Sequence, residues 1–259
     1  MYRSFKLLIF ALIAGIAILS SVVALANEPF RVHKEKQFRF GYVGPCNEFK
    51  AHSGLCISGT EDYEPSPVSS SGQLITILAD KGDGLCYAKS GRAVDVISSI
   101  GDQAGNKLTG ITCKQPLGEV AVAGYVKIYR KLNFKPVKDE AFISAIDGRI
   151  RKKGLLNIFY RSKTSSVDVL IKRPEIFQYP FPGKKVYFAL YKISGDTRIL
   201  IMSINDQYKV LSDIKNFKDG WCMDYGLDRA FLLNGKYYVW FSWCVCETDG
   251  CGDEIIEIK

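Results

Sequence analysis

The chain has 259 residues, 47% of them hydrophobic and 24% charged, with a formal net charge of +8. That composition excludes wholesale disorder, and the length suits one large domain or two modest ones. Only two histidines occur, His33 and His52, so a nucleophile activated by a carboxylate-oriented histidine has little to draw on.

The N-terminus sets the expected compartment. A basic start, Arg3 and Lys6, precedes an uncharged apolar run from Leu7 to about Val23, which ends in Ala24 to Ala26 before a polar stretch. This order is that of an export signal cleaved after Ala26, with residues 1–26 removed. The competing reading is an uncleaved anchor, since roughly 18 apolar residues can span a bilayer.

Residues 27–72 read as loop, and Glu64 to Gly72 has turn and linker composition. Extended segments follow at "LITILA" from Leu74, "RAVDVISSI" from Arg92 and "KLTGITC" ending at Cys113, with "GDQAGN" as the turn between the last two. The period-two alternation of "EVAVAGYVKIYRKL" predicts one long strand.

A single amphipathic helix is expected over about residues 139–153. Asp139 and Glu140 at its start and Arg151 to Lys153 at its end oppose the helix dipole, and Gly154 suits the left-handed C-terminal position. Phe142, Ile146, Arg149 and Ile150 share a face, with Ala145 beside them. Strands are then expected at "LLNIFYR", "SVDVLIK", "KVYFALYKI" and "RILIMSI". Asn234-Gly235, between two apolar runs, predicts a two-residue hairpin. The fold class is α+β, predominantly antiparallel β-sheet with that one helix, braced by disulfides. An N-terminal β-rich module over 27–135 and a C-terminal module over 136–259 are the expected domains.

Eight cysteines, 46, 56, 86, 113, 222, 244, 246 and 251, follow the export signal, and an even count behind such a signal reads as disulfides. Proximity pairs Cys46 with Cys56 and Cys86 with Cys113. A regular ladder from the Asn-Gly turn would put Cys222 on the face away from Cys244 and Cys246. A bulge near "WCMDYG", eased by Gly226, would restore a Cys222–Cys244 bond and leave Cys246 to pair with Cys251.

Other chemistries fit less well. Zinc would need Cys222, Cys244, Cys246 and Cys251 as thiolates, against the oxidising compartment. The oxygens of Glu247, Asp249, Asp253 and Glu254 miss the EF-hand spacing for calcium. No cofactor and no metal is expected. Glycoside cleavage needs only two acids, for which residues 60–64, Asp219, Asp224 and Asp228 are the candidates.

The Asn-Gly hairpin also presents Tyr238, Trp240 and Arg229 on one face, with Arg229 opposite Trp240. Two readings follow: a layer sandwiched within the core, or an exposed platform on which a sugar ring or partner side chain stacks. The expected function is therefore an exported, periplasmic or secreted, non-enzymatic binding, inhibitor or accessory protein of the cell envelope. Its partner would be an envelope polymer or a protein rather than nucleic acid, with the membrane involved only if the N-terminal segment stays uncleaved. An envelope-glycan hydrolase using a carboxylate pair is the first alternative, and a thiol-redox or metal protein built on the C-terminal cysteines the second.

Overall fold

The computed structural model describes residues 38–46, 54–59, 72–79, 84–98, 101–113, 118, 120–124, 126–157, 171–193, 197–212, 223–245 and 251–259. The expected export signal, both histidines, residues 60–64, Asp219, Cys222, Cys246, Glu247 and Asp249 lie outside the described residues. No helix among the described residues is long and apolar enough to cross a membrane.

Six strands close into an antiparallel barrel in the order β1-β2-β5-β4-β3-β6: β1 (Arg39–Pro45), β2 (Leu55–Ser58), β3 (Leu74–Leu78), β4 (Leu85–Ser98), β5 (Gly101–Thr109) and β6 (Val120–Ala123). The sequence of β6, Val-Ala-Val-Ala, shows how alternation builds it. Ala121 and Ala123 join Val43, Ile57, Ile75, Ile77, Cys86 and Ala88 in one apolar cluster, while Val120 and Val122 join another with Phe40. Successive side chains point to opposite faces of a strand, so small residues fill the narrow interior and valines meet the next layer. Disulfides Cys46–Cys56 and Cys86–Cys113 brace this barrel as proximity suggests.

The expected long strand over "EVAVAGYVKIYRKL" is instead two strands in two sheets. It breaks at Gly124, whose φ of +126° an L side chain rarely adopts, and whose carbonyl accepts a hydrogen bond from Thr76 Oγ1 at 3.0 Å. The chain leaves the barrel there and resumes as β7 (Tyr129–Leu132). Likewise "GDQAGN" runs within β5 rather than in a turn, with Gly101 opposite Ser98 and Gly105 opposite Val94. Cross-strand pairing with the long β4 overrides local turn composition.

The second sheet, β12-β11-β10-β9-β8, contains β8 (Lys135–Pro136), β9 (Glu175–Tyr179), β10 (Val186–Lys192), β11 (Arg198–Ile204) and β12 (Gln207–Val210). Helix α1 (Glu140–Lys152) covers one of its faces. Asp139 is the N-cap, accepting from the backbone N–H groups of Ala141 and Phe142, and Gly154 takes the expected positive φ of +67°. The buried stripe is Ile143, Ile146 and Ile150, with Phe142 at its edge. Arg149 and Ala145 are exposed, so the helix is rotated from the expected facing, and Arg149 pairs with Asp206. No strand forms at Leu155 to Asn157; the chain turns there and Leu156 completes the cluster under the helix. The rest of "LLNIFYR", and of "SVDVLIK" up to Leu170, lies outside the described residues, while Ile171 and Lys172 are not in a strand.

The third sheet runs β15-β14-β13-β7, with β13 (Met223–Leu233), β14 (Lys236–Val245) and β15 (Cys251–Ile258). Asn234 and Gly235 form the hairpin turn with φ of 47° and 84°. The Asn234 side chain also accepts from the backbone N–H groups of Lys127 and Ile128, tying this turn to the approach to β7. A bulge falls between Leu227 and Arg229, slightly later than expected. The expected Cys222–Cys244 and Cys246–Cys251 bonds are corrected: Cys244 bonds Cys251. The cause is β15, which pairs along β14 and sets Cys244 directly opposite Cys251. The described residues from Phe38 to Ile258 belong to one compact unit, and the apolar cluster of Phe40, Val120, Val122, Phe231, Tyr238 and Trp240 joins strands from both ends of it. The architecture is thus mostly antiparallel sheet with one helix of seven or more residues and three disulfides among the described residues.

Candidate functional site

The three residues singled out for binding lie together, but two are inside. Tyr238 and Trp240 are 0% and 1% exposed, beneath Phe40 and Tyr42 of β1. On its other face the hairpin meets the second sheet, where Tyr179 donates its hydroxyl to the Tyr238 carbonyl at 3.0 Å and its ring meets Tyr237. Trp240 is a filler between layers, and its Nε1 has no hydrogen-bond partner among the described residues. Arg229, opposite Trp240, is half-buried at the rim of this packing.

Two charged features reach solvent on either side of β13. The first lies at the barrel rim. Tyr42 donates to Asp253 Oδ2 at 2.7 Å, and Asp253 pairs across the ladder with Ser242. Asp228, the extra residue of the bulge, takes hydrogen bonds from Ser242. Asp228 is exposed as a residue, yet partial burial of its carboxyl raises its pKa despite Ser242 and Arg229. Burial first, then Asp253, raises the Tyr42 phenol, with a smaller contribution from Asp228.

The second feature is a cleft of about 380 Å³ at the open end of the second and third sheets, lined by Lys172, Arg173, Glu175, Leu190, Lys192, Arg198 and Asp224. β10 and β11 set Lys192 directly opposite Arg198, and β9 sets Glu175 opposite Leu190. The Lys172 backbone N–H donates to the Lys192 carbonyl at 3.1 Å, which brings a third cation alongside. Asp224 of β13 accepts from Nε and Nη2 of Arg198, the latter at 2.7 Å, in a two-pronged pair. Arg173 is held by the Glu140 carboxylate, the Glu140 carbonyl and Ser144 of α1.

The positive charge is concentrated in one stretch of the chain. Residues 135–212 hold 15 Lys and Arg against 7 Asp and Glu, which accounts for the whole net charge of +8. Residues 221–259 hold 7 Asp and Glu against 3 Lys and Arg. The cleft sits where these two stretches meet, with Asp224 from the acidic stretch and its other lining residues from the basic one. Segmental charge would have pointed to this region; the pairing of Lys192 with Arg198 needed the hairpin register. Among the described residues no group of three or more His, Cys, Asp or Glu is arranged to hold a metal ion.

No family model, no curated protein and no solved structure matches the chain.

Proposed function

We propose that the protein is an exported, non-catalytic binding or accessory protein of the cell envelope whose basic half engages an anionic partner. The observation that carries this reading is the concentration of the entire net positive charge in residues 135–212, the stretch that builds the second sheet and its helix. Three disulfides among the described residues support an oxidising compartment. The test is cosedimentation of the chain from residue 27 onward with isolated anionic envelope polymer. Binding should be strong at low salt and fall steeply as salt screens it. No cosedimentation at low salt would remove the reading.

One observation favours a second reading, the glycan hydrolase: Asp228 and Asp253 both lie beside Ser242 at the rim, and Asp228 holds its proton to higher pH than a free carboxyl. On that reading Asp228 acts as the general acid and Asp253 as the partnering carboxylate. Release of reducing ends from envelope glycan, lost in both Asp228→Asn and Asp253→Asn, would establish it. Absence of release by the unmodified protein would dismiss it.

A further inference from the structure

The cleft at the open end of the two sheets has an arrangement that internal pairing leaves incomplete. Directly opposed side chains on neighbouring antiparallel strands sit about 4.5–5.5 Å apart at Cβ, and like charges there repel. Lys192 and Arg198 are such a pair, and Lys172 adds a third positive head. Arg198 is neutralised by Asp224 and Arg173 by Glu140. Neither Lys172 nor Lys192 makes an ion pair among the described residues, and both are exposed. Two ammonium groups therefore stand beside the cleft without an ion-pair partner among the described residues, although the Glu175 carboxylate shares the lining.

The other lining residues narrow the class of anion. Glu175 and Asp224 would repel a densely charged polyphosphate, while the Glu175 carboxylate can accept hydrogen bonds from hydroxyls. Leu190 provides an apolar patch in the lining. A volume of about 380 Å³ falls in the range of small-ligand sites and accommodates one sugar-sized unit.

We propose that this cleft binds a sugar unit bearing one oxyanion, carboxylate or phosphate, with Lys172 and Lys192 meeting the anion and Glu175 its hydroxyls. This inference rests on the envelope-binding reading and deepens it by naming the site and the ligand chemistry. The unit is either a residue of an anionic glycan or a free sugar acid or sugar phosphate.

The experiment is calorimetric titration of the chain from residue 27 onward with glucuronate, glucose 6-phosphate, glucose and an anionic glycan polymer. Both anionic sugars should bind and glucose should not. The double variant Lys172→Glu/Lys192→Glu should lose about tenfold or more in affinity, a change of roughly 1.4 kcal/mol. Lys138→Glu, an exposed cation elsewhere in the same basic half, should bind as the unmodified protein does. Circular dichroism confirms that each variant is folded. Failure of both anionic sugars to bind at millimolar concentration overturns the proposal. So does a double variant that binds normally, or a Lys138→Glu variant weakened to the same extent, since the attraction would then be diffuse. Polymer binding that persists in the double variant overturns the cleft and leaves the envelope reading standing. Sugar binding through the two lysines without polymer binding supports the cleft and removes the envelope reading.

Discussion

Three side chains show how one residue's surroundings decide its role. Trp240 was legible as an aromatic opposite Arg229, but sequence could not show that β1 of the barrel covers it. Trp240→Ala is expected to cost about 3–5 kcal/mol in a denaturant melt, as for a large buried aromatic. Trp240→Phe should cost less, because it also removes a buried N–H that has no partner among the described residues. If Trp240→Ala melted normally, the aromatic layer would be misassigned. A charged residue in the middle of a surface helix, as Asp147 is, ordinarily faces solvent with nothing to hold. Asp147 instead accepts the hydroxyl of fully buried Tyr191 at 2.9 Å and pairs with Arg151 at 2.8 Å. Asp147→Ala should therefore cost about 1–3 kcal/mol by orphaning a buried hydroxyl. Ile146→Asp should cost more, since it buries a charge without a partner; chemical denaturation of the two variants ranks them. Asp228 provides the pH test. Its folded pKa is raised, so the folded state binds the proton more tightly, and this group's contribution to stability falls as pH rises through the unfolded and then the folded value. Asp228→Asn, which keeps an acceptor for Ser242, should raise the melting temperature modestly at neutral pH and lose that advantage below the unfolded carboxylate range. An advantage that grew on acidification would reverse the assigned sign.

At the scale of elements, legibility tracked how local the causes were. The helix ends, the Asn-Gly turn and strands β3, β10 and β11 follow from caps, turn chemistry and short apolar runs, and all were anticipated. What sequence did not show was set by distant partners. β15 has an unremarkable "CGDEIIEI" sequence and exists because β14 offers it an edge. The helix facing was rotated because Ile143 rather than Arg149 meets Ile199 and Ile201 of the sheet below. The barrel contains a second bulge, between Ser90 and Ala93, and Gly91 sits within it. A Cβ added there would lie 2.8 Å from the Lys107 carbonyl oxygen of β5, a backbone atom that cannot swing aside. Gly91→Ala is expected to force β4 from β5 and cost about 1–3 kcal/mol, as overpacking does. Gly148→Ala, in the helix with nothing within 4 Å of the added carbon, should instead stabilise by the helix-propensity difference of up to about 1 kcal/mol. Thermal melts with opposite shifts for the two variants are the expected result, and a neutral Gly91→Ala would mean that β4 and β5 are less closely apposed at Gly91.

At the scale of the whole molecule, three sheet layers share aromatic cores while disulfides fix the strand ends. Cys46–Cys56 joins the end of β1 to β2, Cys86–Cys113 ties β4 to the segment after β5, and Cys244–Cys251 bridges β14 and β15. Each is typically worth roughly 2–5 kcal/mol to a small braced fold, so reduction should lower the melting temperature markedly. Two cysteines of the eight, Cys222 and Cys246, lie outside the described residues, and the hairpin register bears on them. On the turn side of the bulge Arg229 faces Trp240; beyond it Leu227 faces Phe241, and the pairing continues regularly to Met223 and Val245. A single extra residue has changed the parity that, in an unbroken ladder, would have placed Cys222 away from both Cys244 and Cys246. Continued by one step, this register opposes Cys222 to Cys246, and with Cys244 already bonded to Cys251 it predicts a Cys222–Cys246 bond. A non-reducing proteolytic map with mass spectrometry should show a peptide containing residue 222 linked to one containing residue 246, and thiol titration of the denatured, unreduced chain should find none free. Two free thiols, or residue 222 linked to any other cysteine, would mean that the ladder does not continue past the last described pair.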